Sequence, residues 1–267
     1  MDHSLCVVLM ITLLLLVCNY CMVHWNRRML PFDTVYVINL EKNVDRLKEF
    51  MITYNSSGMG HVPIQRINAI DGKKIQHRSR WLSRSANKEM LRSDHTGHRF
   101  NHYELSNGAI GCYMSHALIW RDVLEKNKRN ALIFEDDAVL LNDFHTSMCA
   151  AMRHVPADWD IVLLHNKNVA GFMTYHSRHG RYDKVNRFYG TFCYMISYDC
   201  IVKLRKSKKI FPISQQIDSM LSDQSAYLNI YTVNEVMVKH NGNFQTDIQI
   251  PVYNGNFRWD IQIPVKK

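Results

Sequence analysis

The hydrophobic positions of this chain form short continuous runs, separated by segments whose apolar residues recur with helical spacing. Residues 34–40, 131–134 and 158–165 contain such runs, rich in β-branched and aromatic residues that favour strands. Runs that are apolar throughout are typical of strands buried on both faces of a sheet. Because helical segments alternate with them, the pattern predicts an α/β fold with a mainly parallel central sheet.

The clearest helical pattern covers residues 106–126. Its apolar side chains at positions 110, 113, 114, 117, 120 and 124 fall on one face. Gly108 and Gly111 lie in its first turns, where they would let another backbone approach closely. By contrast, residues 73–104 are basic and polar, which predicts a partly helical excursion over the surface. Residues 166–189 predict a loop or hairpin over the functional site.

Residues 5–23 carry no charged side chain, and 19 helical residues nearly cross the hydrocarbon core of a bilayer. A cleaved signal peptide is the alternative, but no basic segment precedes the run and no Ala-x-Ala follows it. We therefore expect an uncleaved membrane anchor with its flank at 1–28, and one domain at 29–267. Arg27 and Arg28 would place that domain in the cytosol by the positive-inside rule, which leaves the orientation open.

The composition narrows the class of protein. Hydrophobic residues make up 46% of the chain and charged residues 21%, as in globular proteins. The net charge of +9 favours anionic partners such as nucleic acid, membrane headgroups or a sugar nucleotide. No basic block with interleaved aromatic residues is present, which argues against nucleic acid. The cysteines at 112, 149, 193 and 200 permit two disulfides but lack the CxxC pairing of many zinc sites.

The strongest candidate chemistry is the acidic run Glu135-Asp136-Asp137, which follows the apolar residues 131–134 directly. Three adjacent carboxylates repel one another, and a hard cation such as Mn²⁺ or Mg²⁺ would relieve that repulsion. In an open α/β sheet, the carboxyl ends of the strands are where ligands bind. The alternative is a solvated acidic turn after a strand.

Further polar residues follow the other predicted strands. Asn39 ends the first strand, and Arg46 lies in the first turn of the next helix, where it would pair with a diphosphate or remain a surface arginine. Asp71 and Gly72 end a short strand that begins at residue 66. An Asn and an Asp at the ends of two strands suit a pocket that binds a ribose and a uracil.

Two more candidates lie on predicted helices. His116, next to Ser115, would touch a phosphate or ribose, or would be a hydrogen-bonded structural histidine. Asp218 lies in the first turn of a helix, as a general base or as an acid that complements the helix dipole. Near the end of the chain, residues 241–252 and 254–265 are nearly identical, which indicates a local duplication at 241–265.

Taken in order, these segments resemble glycosyltransferase family 25, which includes bacterial lipooligosaccharide galactosyltransferases and collagen galactosyltransferases. The resemblance covers residues 34 to about 250 and rests on VYVINLEKNVDR, INAIDG, LSNGAIGCYMSH, ALIFEDDAVL, DWDIVLL, GTFCYMIS and ISQQID. Its specific part is G-x-x-G-C-x-x-S-H followed about 15 residues later by an apolar strand and E-D-D.

The resemblance implies a GT-A type nucleotide-sugar fold, a UDP-sugar donor, a divalent cation (Mn²⁺ or Mg²⁺) and inversion at the anomeric carbon. The sugar would be galactose or another hexose, passed to a hydroxyl acceptor such as collagen hydroxylysine or a glycan. In a eukaryote such an enzyme would be a single-pass membrane protein facing the lumen of the endoplasmic reticulum or Golgi.

The same resemblance implies roles for individual residues. Glu135 and Asp137 would take the acidic positions of a D-x-D-like metal motif, with Asp136 between them and His240 as a further metal ligand. Asp218 would be the base that deprotonates the acceptor hydroxyl. The nucleotide pocket would be lined by Asn39, Arg46, Asp71, Gly72, Ser115 and His116.

Two departures keep other functions open. The family usually has Glu where this chain has Ala109, so a capping box with Ser106 is missing. The duplicated tail alters a region that often closes over the nucleotide. One alternative is a catalytically inert relative that serves as a binding or adhesion module. Another is a metal-dependent nucleotide-sugar hydrolase, which would need no acceptor.

Overall fold

In this computed structural model, the described residues are 10–17, 30–101, 104–165, 173–177 and 180–242, with the backbone alone for 173–176. The helices are α1 (10–17), α2 (Val44–Tyr54), α3 (Arg84–Thr96), α4 (Asn107–Glu125), α5 (Phe144–Met152), α6 (Tyr198–Lys206) and α7 (Ile217–Ser222). The strands are β1 (Thr34–Asn39), β2 (Gln65–Asn68), β3 (Asn130–Glu135), β4 (Ala138–Leu140), β5 (Ile161–Leu163), β6 (Met173–His176), β7 (Tyr182–Val185), β8 (Cys193–Ser197), β9 (Ile230–Val233) and β10 (Val238–His240).

Eight of the described strands form a central sheet in the order β2-β1-β3-β8-β5-β9-β7-β6, and β10 pairs with β4 in a small second sheet. Six strands of the central sheet run one way, whereas β7 and β8 run the other. The predicted α/β fold with a mostly parallel sheet is therefore confirmed. The reversal of β8 was not foreseen, because a run that is buried on both faces carries no signal for strand direction.

Alternating side chains of the central strands separate two cores, one on each face of the sheet. Tyr36 of β1 and Ile133 of β3 pack in a core that includes Ile110 and Trp120 of α4. The residues next to them in sequence belong to the opposite core, with Phe50 of α2 and Phe144 of α5. This two-residue period follows from strand geometry, and it places α2 and α4 on opposite faces of β1.

The first turns of α4 press against the loop that follows β2, as the glycines of that helix predict. A Cβ at Gly111 would lie 2.7 Å from the backbone nitrogen of Gly72, and a Cβ at Gly72 would overlap the carbonyl oxygen of Asn107. Ser106 caps the helix by accepting a hydrogen bond from the backbone nitrogen of Ala109 at 3.0 Å. The cap thus forms without the glutamate of a capping box.

One expectation from the sequence is wrong. Among the described residues, no helix is long and apolar enough to cross a membrane, which contradicts the single-pass localisation expected from residues 1–28. The described helix there, α1, covers residues 10–17, and the rest of the segment lies outside the described residues. The hairpin expected within residues 166–189 is present as β6 and β7, which extend the sheet at the edge opposite β2; residues 166–172 and 178–179 lie outside the described residues.

The duplicated tail cannot be compared with its prediction, since residues 243–265 lie outside the described part of the chain.

Candidate active site

The carboxyl ends of β1 and β3 open into a cleft between α2 and α4. The two strands are parallel neighbours with Ile38 opposite Glu135, so Asn39 and the acidic run emerge at one edge of the sheet. Seven of the predicted site residues line this cleft: Arg46, Asp71, Gly72, Ser115, Glu135, Asp136 and Asp137. A wider groove continues from it along Leu40 and the 68–71 loop.

Asp136 is held by donors from two neighbouring elements. Arg46 of α2 contacts its Oδ1 at 2.7 Å, and Asn39 donates to its Oδ2 at 2.6 Å. Arg66 in turn donates to the Oδ1 of Asn39 at 3.0 Å. Burial raises the pKa of Asp136 to about 7, although Arg46 and Asn39 oppose the shift. Because protein donors occupy both of its oxygens, the geometry gives Asp136 an internal partner rather than bringing it to a cation.

Asp137 has different surroundings. Its Oδ2 lies 3.1 Å from Nη2 of Arg46 and 3.2 Å from Nε2 of His240, which β10 brings alongside β4. Its Oδ1 is buried and has no hydrogen-bond partner among the described residues. A buried carboxylate oxygen without a donor is costly, and a bound cation would offset that cost. The residues present therefore fit a divalent cation at Asp137.

Glu135, at the end of β3, is oriented by side chains from the segment before β8 and from α4. The hydroxyl of Thr191 donates to its Oε1 at 2.7 Å, and Nε2 of His116 lies 3.4 Å from the same oxygen. Burial alone would raise the pKa of Glu135, but the hydrogen bonds from His116 and Thr191 and the charge of His116 together lower it. His116 is fully buried, and its Nδ1 lies 2.9 Å from the hydroxyl of Tyr194.

Ser115 and Asp71 stabilise the wall of the cleft. The hydroxyl of Ser115 accepts from the backbone nitrogen of Ile70 at 2.9 Å and donates to the carbonyl oxygen of Gly111 at 2.7 Å. The carboxylate of Asp71 accepts from the backbone nitrogen of Lys73 at 3.1 Å. These bonds hold the loop after β2 against α4, where Gly72 makes its close approach.

Asp218 lies in the first turn of α7, as predicted. It accepts hydrogen bonds from the backbone nitrogens of Gly190 at 2.9 Å and Ser219 at 2.7 Å. Gly190 directly precedes Thr191, the donor to Glu135, so one short segment before β8 contacts both acids. Asp218 and Glu135 also lie near Cys112, since their charges add to the effect of burial in raising the pKa of that thiol.

Three residues of this site were missed from the sequence: Thr191, Tyr194 and Cys112. Cys112 and His116 are four positions apart on α4, and that spacing was a usable signal, since such side chains share a helix face. Thr191 and Tyr194 had no comparable signal, because their partners lie 56 and 78 residues away in the sequence.

Comparison with known proteins identifies relatives of this chain. Human procollagen galactosyltransferase 2 is 25% identical over 143 residues, which cover 52% of this chain and 21% of that protein. Human inactive glycosyltransferase 25 family member 3 is 28% identical over 145 residues, covering 52% of this chain and 22% of the relative. The chain thus matches about a fifth of the length of these relatives.

A solved structure of the galactosyltransferase LgtC, in complex with donor and acceptor sugar analogs, is 10% identical. The match covers 75% of this chain and 73% of that one, with a TM-score of 0.37. The model of glycosyltransferase family 25 (LPS biosynthesis protein) matches residues 32–221. Since that match spans most of the chain and includes the whole acidic cleft, the chain belongs to glycosyltransferase family 25.

Proposed function

We propose that this protein is a metal-dependent, inverting glycosyltransferase of the GT-A type. It would transfer galactose or another hexose from a UDP-sugar to a hydroxyl acceptor, such as collagen hydroxylysine or a glycan. The observation that carries the proposal is the buried Oδ1 of Asp137, which has no hydrogen-bond partner among the described residues and lies at the mouth of the sheet. Family membership and the printed name of the human procollagen galactosyltransferase support it.

In this proposal Asp137 and His240 hold Mn²⁺ or Mg²⁺, with Glu135 oriented by Thr191 and His116 as the third protein ligand. When bound, the cation neutralises charge on the donor diphosphate. The geometry supports these three residues over Asp136, whose oxygens are bonded to Arg46 and Asn39.

The nucleotide would lie along the loop after β2. Asp71 and Gly72 line the cleft there, and Ser115 fixes the loop through the backbone of Ile70. Arg46 adds a positive charge that favours a diphosphate, and it lies within 3.1 Å of both aspartates. Asn39 and His116 contribute indirectly, through Asp136 and Glu135.

Asp218 would act as the base. Two backbone N–H groups orient its carboxylate, one from Gly190 before β8 and one from the adjacent Ser219. It would accept the proton of the acceptor hydroxyl as that oxygen attacks the anomeric carbon from the face opposite the leaving UDP. Attack from that face is what inversion requires.

Calorimetric titration with UDP, with and without Mn²⁺, tests the donor site. We expect binding that requires Mn²⁺ and disappears in Asp137→Ala. The matched control is Glu125→Ala, which removes an exposed acid at the far end of α4, paired only loosely with Arg121 at 3.6 Å. Metal-independent binding, or unchanged binding by Asp137→Ala, would remove Asp137 from the proposed site.

A catalytically inert relative that acts as a binding or adhesion module is the second candidate. A relative named inactive matches this chain at 28% identity, above the 25% of the galactosyltransferase, and Ala109 replaces the usual glutamate of the family. Absence of UDP binding under any metal condition would favour this candidate. Binding followed by sugar transfer to collagen peptides or glycans would exclude it.

A further inference from the structure

One side of the cleft carries a sulfur, a nitrogen and an oxygen donor close together. Cys112 and His116 lie one turn apart on α4, and both face Glu135 at the end of β3. Their ligand atoms all lie within 4.8 Å of one another. The distance of 3.4 Å between Nε2 of His116 and Oε1 of Glu135 matches the edge of a tetrahedron whose metal bonds are about 2.0–2.1 Å long.

The surroundings of these side chains resemble those of metal ligands. The second ring nitrogen of His116 contacts the hydroxyl of Tyr194, which accepts a hydrogen bond from Nε1 of Trp120 at 3.1 Å. A partner of this kind on the other ring nitrogen orients metal-binding histidines. Thr191 orients Glu135 in the same way. Cys112 and Glu135 line the cleft, which provides a path for an ion to enter.

We propose that Cys112, His116 and Glu135 form a second cation site, selective for a thiophilic divalent ion such as Zn²⁺. A thiolate ligand favours Zn²⁺, whereas Mn²⁺ and Mg²⁺ prefer oxygen donors such as those at Asp137. On binding, the thiol of Cys112 and Nε2 of His116 each release a proton to solvent, so that sulfur and nitrogen offer free lone pairs to the ion. The imidazole keeps its other proton, on Nδ1, where the oxygen of Tyr194 accepts it, and water completes the tetrahedron.

The functional consequence rests on the proposed function, because Glu135 belongs to both sites. Zn²⁺ bound to Cys112 and His116 would hold Glu135 away from the cation at Asp137. The second site would therefore be inhibitory: we expect saturating Zn²⁺ to weaken Mn²⁺-dependent UDP binding about tenfold or more. Unchanged UDP binding would overturn this inhibitory role.

The site itself is tested with Co²⁺, a spectroscopic substitute for Zn²⁺, added to the full chain without nucleotide. We expect one equivalent to give intense visible bands typical of a tetrahedral ion and a near-ultraviolet band from thiolate to Co²⁺, both abolished by added Zn²⁺. Cys112→Ser should lose the near-ultraviolet band. Cys149→Ser, which removes another half-buried thiol, should retain it.

A thiolate band that persists in Cys112→Ser, or that is absent from the unmodified chain, would overturn the second site. Cys112→Ala provides a second variant, and circular dichroism verifies the fold of both. This measurement needs neither UDP nor sugar transfer. If the proposed transfer reaction fails, the cobalt spectra still decide whether the second cation site exists. If UDP binding requires Mn²⁺ but no thiolate band appears, the proposed function stands and the second site does not.

Discussion

The two aspartates after β3 are adjacent in sequence but lie in opposite electrostatic surroundings. Asp136 has a donor on each oxygen, Arg46 at 2.7 Å and Asn39 at 2.6 Å. Asp137 has contacts at 3.1 and 3.2 Å on one oxygen, and its other oxygen is buried without a hydrogen-bond partner among the described residues. The difference shows that the acidic run is not uniform, since one aspartate has protein donors on both oxygens and the other keeps one buried oxygen without a protein donor among the described residues.

Removal of Arg46 tests the internal neutralisation and has the largest expected effect. At about pH 8, above the pKa of about 7 at which Asp136 ionises, Arg46→Ala leaves its buried carboxylate without a cation, and breaking a pair of this kind costs about 3–5 kcal/mol of unfolding free energy. Urea denaturation measures the loss. The double variant Arg46→Ala/Asp136→Asn should recover part of it, because the amide has no charge to compensate. A loss below about 1 kcal/mol would show that Asp136 does not depend on Arg46.

Removal of the charge on Asp137 should affect binding instead of folding. We expect Asp137→Asn to weaken Mn²⁺-dependent UDP binding about 100-fold, or about 2.7 kcal/mol. Its unfolding free energy should change by less than about 1 kcal/mol, because the amide oxygen can still accept from Arg46 and His240 while the amide nitrogen takes the place of the oxygen that has no protein donor among the described residues. Calorimetry measures the UDP binding, and urea denaturation of the same preparation measures the unfolding free energy. A large loss of stability would contradict the contrast with Asp136.

The pH dependence of the free energy of unfolding tests whether folded Asp136 keeps its proton. Its pKa is about 7 in the folded state and about 3.9 in an unfolded chain. Between these values the folded state keeps a proton that the unfolded state has released, so the free energy of unfolding falls as pH rises, by up to ~1.4 kcal/mol per unit. Asp136→Asn should flatten this slope in metal-free denaturation at pH 5, 6 and 7. An unchanged slope would show that a group other than Asp136 holds this proton.

His240 should give the smallest effect. His240→Gln keeps a polar side chain on β10 but removes the imidazole that lies 3.2 Å from Asp137. With the two carboxylates still present, we expect about tenfold weaker Mn²⁺ binding, or about 1.4 kcal/mol, measured as the Mn²⁺ concentration needed for half-maximal UDP binding. The neighbouring exposed residue offers a control, since Lys239→Gln should leave this concentration unchanged.

Most of the local structure could be predicted from the sequence. The apolar runs became β1, β3 and β5, and the glycine-containing helical pattern became α4, pressed against Gly72. The position of Glu135, Asp136 and Asp137 at the mouth of the sheet followed from the same patterns. These predictions succeeded because burial and periodicity are properties of consecutive residues. The single-pass membrane location expected from the apolar run at 5–23 is contradicted, since no described helix is long and apolar enough to cross a membrane.

The sequence by itself determined which residues lie in strands and helices, and it placed three acids at one strand end. Only the tertiary structure decided what each acid does. Asp136 finds Asn39 across 97 residues, and Glu135 finds Thr191 across 56, in the segment before a strand whose reversed direction has no local signature. The physical reason is that neutralisation of a buried charge depends on donors within about 3 Å, and the donors for these acids come from elements distant in the chain.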